Sequence, residues 1–101
     1  MNTEMSAIEL ALLAVLAADG GDTVSALEHI ARAQQRTRTN ARRERQVVEI
    51  AALSVAGQRI RAAGLTLEHI REFPSDRELL TRVASPDVVV ARTPTDDRPA
   101  G

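Results

Sequence analysis

An all-α fold of antiparallel helix hairpins is predicted by three features of this sequence. The four-residue word Leu27-Glu28-His29-Ile30 recurs as Leu67-Glu68-His69-Ile70, 40 residues on. Glycine-led turns precede the two words at Gly21-Asp22 and Gly57-Gln58, 36 residues apart. Apolar residues recur at helical spacing through both segments, which is the mark of helices that bury one face. The two spacings differ by four residues, close to one helical turn, so the reading places His29 and His69 on similar helix faces. Turns register repeats better than side chains do, and the period is taken as 36.

Composition narrows the class further. At 101 residues there is room for one small domain. With 44% hydrophobic residues, 27% charged residues and a net charge of -1, the chain reads as globular, and its overall charge selects no anionic partner. Cysteine is absent, which removes disulfides and thiolate metal sites. All thirteen basic residues are Arg, a bias that fits a GC-rich genome. Leu10 to Ala18 is apolar without interruption but too short to span a bilayer. Glu4 and Glu9 stand where a signal peptide carries basic residues, so a cytoplasmic location is expected.

Each element has its own justification. The first helix is expected over about residues 4 to 18, capped by Asn2 or Thr3 and closed at Gly20. Met5, Ile8, Leu12 and Val15 form one stripe, and Leu10, Leu13 and Ala17 make the other side apolar as well, as in a helix covered on more than one side. Asp22 or Thr23 caps the second helix, which runs to about Arg36. After the polar break from Thr37 to Asn40, with Asn40 as cap, a third helix covers residues 41 to 56 and buries Val47, Ile50, Ala51 and Leu53 or Ser54. The fourth carries Ile60, Ala63, Leu67, Ile70 and Phe73, and stops at Pro74. Gly64 marks either close packing or a break, which leaves open whether this helix begins after Gly57 or at Gly64. Ser75 with Glu78 makes a capping box for a short fifth helix, residues 76 to 84. The domain therefore covers residues 3–84, as hairpins 4–37 and 41–73 plus the capping helix 76–84; residues 85–101, rich in Pro and Asp, read as a flexible tail.

The residues Gly57, Ala62, Glu68-His69, Pro74 and Asp76, preceded by Arg43-Glu44-Arg45-Gln46-Val47-Val48, resemble the tetratricopeptide repeat, in particular bacterial tetratricopeptide repeat protein 38-like proteins. In that pattern a turn glycine or asparagine is followed five positions on by a small residue and seventeen on by proline. Gly57, Ala62 and Pro74 match all three; Gly21, Ala26 and Ala33 match the turn and both small positions of the first hairpin, which lacks the proline. A period in the mid thirties suits this family, whereas 40 suits HEAT-type hairpins. The resemblance covers about residues 7 to 80. It implies a solenoid whose first helices line a concave groove that binds a peptide or protein, here through Ile8, Ala11, Val15, Glu44, Val47 and Ala51. The family's large aromatic positions are mostly missing, since Phe73 is the single aromatic residue, and no basic carboxylate clamp is present. Two repeats are fewer than a solenoid normally needs, which points to an oligomer, a degenerate form or a fragment.

Other chemistries find less support. His29 and His69 with Glu28 and Glu68 suggest a metal site, but neighbouring helical residues point about 100° apart and cannot readily share an ion. Arg36, Arg38, Arg42, Arg43 and Arg45 form the strongest basic run and are candidate anion-binding residues, although no aromatic side chains accompany them for base stacking. Ile60 to Glu72 resembles the helix, Gly-Leu-Thr turn and helix of MerR-like DNA-binding regulators, with Thr66 as a cap. Ser6, Ser25, Ser54, Ser75 and Ser85 lack a nucleophile elbow, and no phosphate-binding loop or converging carboxylate pair is present, so no enzyme and no cofactor are expected. The expectation is a non-enzymatic interaction module that binds a partner or itself through Ile8, Leu12, Val15, Val47 and Ala51; a small DNA-binding regulator is the alternative.

Overall fold

The computed structural model describes residues 5–38 and 42–84, and among them every regular element is helical. The order is α1 (Ala7–Asp19), α2 (Thr23–Arg36), α3 (Arg42–Val55), α4 (Arg59–Glu72), a 3-10 turn (Pro74–Asp76) and α5 (Arg77–Val83). The all-α class and the two antiparallel hairpins, α1/α2 and α3/α4, are as expected. The first helix starts later than expected. Its cap is Ser6, whose Oγ accepts from the Glu9 amide at 3.1 Å while the Glu9 carboxylate accepts from the Ser6 amide at 2.9 Å. This reciprocal pair satisfies two of the amides that a helix start leaves open. Asn2, Thr3, Asn40 and the tail lie outside the described residues.

The two hairpin turns are copies of one another. Gly21 and Gly57 adopt φ of 90° and 79°, a conformation that side chains disfavour. Around each, one amide reaches back three residues and the next reaches back five. The bonds are Gly21 to Ala18 at 3.0 Å and Asp22 to Ala17 at 2.8 Å, then Gly57 to Ser54 at 3.0 Å and Gln58 to Leu53 at 2.9 Å. Every atom of the second set lies 36 residues after its counterpart, and the fully buried Ala26 and Ala62 follow in the same register. The shared word does not keep it. His29 is half-buried and Ile30 buried, whereas His69 is fully buried and Ile70 half-buried. Similar faces for the two histidines are therefore a wrong expectation: a four-residue offset rotates a side chain by roughly 40°, which carries His69 from the flank into the helix contact.

Leu10, Ala11, Ala14 and Val15 of α1 pack with Ile30 and Ala33 of α2, with Val47, Val48, Ile50 and Ala51 of α3, and with Leu80, Val83 and Ala84 at the C-terminal end. Small side chains let the helices approach closely, so burial is reached with no aromatic residue in this cluster. Helix α1 meets α2, α3 and α5; α4 rests on α3 and the 3-10 turn; α5 lies against α1 and α3.

Two expectations about α4 and α5 need correction. Gly64 is neither a break nor a close contact, since α4 passes through it and a Cβ there would have nothing within 4 Å. The fourth helix begins after Gly57. The Ser75–Glu78 capping box is not formed; Asp76 holds the cap position of α5 but makes no capping bond, because its carboxylate is engaged elsewhere.

Filling the open site at Gly64 with Ala is expected to stabilise the fold by about 1 kcal/mol. Gly57→Ala is expected to destabilise it by about 1 kcal/mol, since its left-handed φ penalises a Cβ. Urea unfolding followed by circular dichroism separates the two signs.

Candidate functional site

The N-terminal half of α3, the C-terminal half of α4 and the 3-10 turn converge on one buried polar cluster. His69 has no exposed surface, and both its ring nitrogens face polar side chains: Nδ1 lies 2.7 Å from Gln46 Oε1 and Nε2 lies 2.7 Å from Asp76 Oδ2. Arg43 meets the same carboxylate in a fork, with Nε at 2.7 Å from Oδ2 and Nη2 at 2.8 Å from Oδ1. Its Nη1 also lies 3.6 Å from Glu44. The Phe73 ring leans on the imidazole at 4.8 Å between centroids. A ring protonated on Nε2 donates to Asp76. Its Nδ1 then either donates to Gln46 Oε1 or accepts from the Gln46 amide turned to present nitrogen.

The electrostatics follow from these contacts. The Arg43 guanidinium beside Asp76 holds the carboxyl below its usual range; burial opposes this and His69 adds to it. Asp76 reciprocally pushes the Arg43 guanidinium up. Away from the cluster, the Ser25 amide lowers Asp22, which caps α2 at 3.1 Å. The exposed Arg42–Glu72 pair, at 3.2 Å, ties the start of α3 to the end of α4 and adds little by itself.

The 36-residue register shows how unusual the cluster is. Arg43, Gln46 and His69 occupy the positions that Ala7, Leu10 and Ala33 occupy in the first hairpin, and those three are buried and apolar. Sequence reasoning missed the cluster. Three polar residues at once in sites whose counterparts are apolar were the available signal, and Asp76 just after Pro74 supplied the fourth.

The candidate site residues fare unevenly. Val15, Val47 and Ala51 lie in the core with at most 4% exposure, so this fold does not present them to a partner. The expectation of an open groove there is corrected: α5 occupies the surface shared by α1 and α3. Ile8 and Leu12 are half-buried. Of the basic run, Arg43 is turned onto Asp76 and Arg42 pairs with Glu72, while Arg36, Arg38 and Arg45 are exposed. The alternative turn at Gly64-Leu65-Thr66, which the MerR-like resemblance required, does not exist, because α4 is continuous and Thr66 is buried within it. No group of three or more His, Cys, Asp or Glu that could hold a metal occurs among the described residues.

Two surface features remain. Large apolar side chains stand exposed at Leu16, Val24, Leu27 and Ile60, the first three flanking the first hairpin turn. A cavity of about 210 Å³ opens between the ends of α1 and α3, lined by Asp19, Ser54, Val55 and Arg59 among others. It is smaller than the roughly 300 Å³ at which ligand pockets begin. None of the described helices is long and apolar enough to cross a membrane.

Replacing Asp76 by Asn is expected to cost about 3 kcal/mol, the low end for breaking a buried ion pair, because Arg43 keeps contact with water. The folded carboxyl titrates below its unfolded value, so its contribution is complete above about pH 4 and fades as pH falls through the folded value. Acid titration of stability should thus be flatter below pH 4 in the Asn variant than in the native chain. No family model, characterised protein or solved structure matches this chain.

Proposed function

We propose that the chain is a non-enzymatic protein-interaction and assembly module of the tetratricopeptide type, with a second copy of itself as first partner. The observation that carries this reading is the apolar outer surface of the first hairpin. Leu16 is 66% exposed, Val24 70% and Leu27 56%, and Leu12 lies one helical turn before Leu16. Isolated exposed apolar residues are ordinary, but three beside one hairpin turn, Leu16 at the end of the apolar α1 and Val24 and Leu27 at the start of α2, favour an interface. The identical turns 36 residues apart support the family reading. A cytoplasmic setting belongs to the same proposal and rests on the absence of cysteine and on the acidic residues flanking the start of the apolar stretch; a bacterial source is what the family resemblance implies.

The site of contact differs from an open groove. Val15, Val47 and Ala51 are inside the domain, so the contact surface is the outer side of α1 with Leu12 and Leu16, joined by Val24 and Leu27 of α2. The test is solution mass by size-exclusion chromatography with light scattering over a concentration series. The native chain should run as a dimer or larger, and the Leu12→Glu, Leu16→Glu variant should run as a monomer with unchanged helical circular dichroism. An unchanged mass in that variant would remove α1 from the interface.

A further inference from the structure

The seat of α5 has the make-up of a recognition site. Leu80, Val83 and Ala84 are entirely withdrawn from solvent against α1 and α3, and Asp76 at the head of the helix is gripped by Arg43 and His69. We propose that the groove between α1 and α3 is a docking site for a short amphipathic helix headed by a carboxylate, and that residues 74–84 fill it in cis. The proposal goes beyond the self-assembly reading, since this groove is a different surface from the outer side of the first hairpin.

Three observations carry it. First, α5 has seven residues, well below the roughly 12 to 15 at which a helix holds by itself in water. Its order therefore comes from the groove. Second, the polar half of the seat is not a packing requirement, since the same positions in the first hairpin are served by Ala7, Leu10 and Ala33. Arg43 and His69 instead fit one chemistry, a carboxylate that accepts a fork from guanidinium and a further bond from imidazole. Third, α5 is joined to α4 only through Phe73 and the 3-10 turn, so the occupant can part from the hairpins without unwinding either one. The occupant defines the partner: an Asp or Glu at the helix head, an apolar residue four positions on as at Leu80, and another seven on as at Val83. A tethered helix competes at an effective concentration in the millimolar range, which keeps weak partners out.

The probe is a fluorescent synthetic peptide of residues Phe73 to Ala84, added to the full chain and followed by anisotropy. The Asp76→Asn, Leu80→Ala chain should bind it at least tenfold more tightly than the native chain does. A peptide carrying Asp76→Asn should bind that variant at least tenfold more weakly than the native peptide. Equal binding to native and variant chains, or no binding to a variant that keeps its helical spectrum, overturns the proposal. If the double variant loses its helical spectrum, the single Asp76→Asn chain is compared in the same way; loss of helix there too makes α5 inseparable from the core and also overturns it. A monomeric native chain would defeat self-assembly while leaving this binding difference intact, so the two readings fail separately.

Discussion

The carboxylate of Asp76 accepts hydrogen bonds from a guanidinium on α3 and lies within bonding distance of an imidazole on α4, while its backbone begins α5. One side chain thereby ties α3, 33 residues upstream, to the end of α4 and the start of α5. A buried ion pair seldom outperforms a well-packed apolar contact, but once its partners are buried, removing one leaves the others without compensation. That asymmetry makes the cluster a pin. His69 has no exposed surface and depends on Asp76 and Gln46 for its polar contacts, and Asp76 is nearly as enclosed. The apolar side chains behind the pin, Leu80 and Val83, each contribute about 1.5 to 3 kcal/mol by burial. The pin sets their position.

The remainder of the domain obeys a different constraint, the scarcity of large side chains. With Phe73 as its single aromatic residue, the chain fills its interior by bringing helices close on Ala11, Ala14, Ala26, Ala33 and Ala51, all without exposure. Two hairpins packed this way have few layers to share. Helix α5 supplies a further layer over α1 and α3, and among the described residues Leu16, Val24 and Leu27 beside the first turn stay exposed.

The parts of the fold legible in the sequence were those governed by local rules. The turns fall at Gly21 and Gly57 as expected, although the left-handed residue after α1 is Gly21 and not Gly20; Asp22 caps α2, and the limits of α2 to α4 fall within about two residues of their expected positions. Gly64 misled because a glycine in a helix costs stability without ending the helix, and α3 and the 3-10 turn hold α4 in place. Ser75 and Glu78 fitted a capping pattern, yet Asp76 found a stronger partner across the fold, which no local pattern contains. What hid Val15, Val47 and Ala51 was tertiary: nothing within α1 or α3 states that the two helices pack on each other and share one core with α2 and α5. The repeated word drew attention to His69 for the wrong reason, since its counterpart in the fold is Ala33 and not His29.

The central claim is that α5 is a separately held occupant of the groove, pinned by Asp76, and native-state hydrogen exchange tests it most directly. The Ala84 amide, bonded to Leu80 at 2.9 Å, reports on α5, and the amides of Ile50 and Ala51 report on the core. The account predicts that Ala84 exchanges at least tenfold faster than the α3 amides in the native chain, and that Asp76→Asn speeds exchange in α5 well beyond its effect on α3. Exchange of α5 and α3 as one unit, slowed equally in the native chain and quickened equally in the variant, would contradict it.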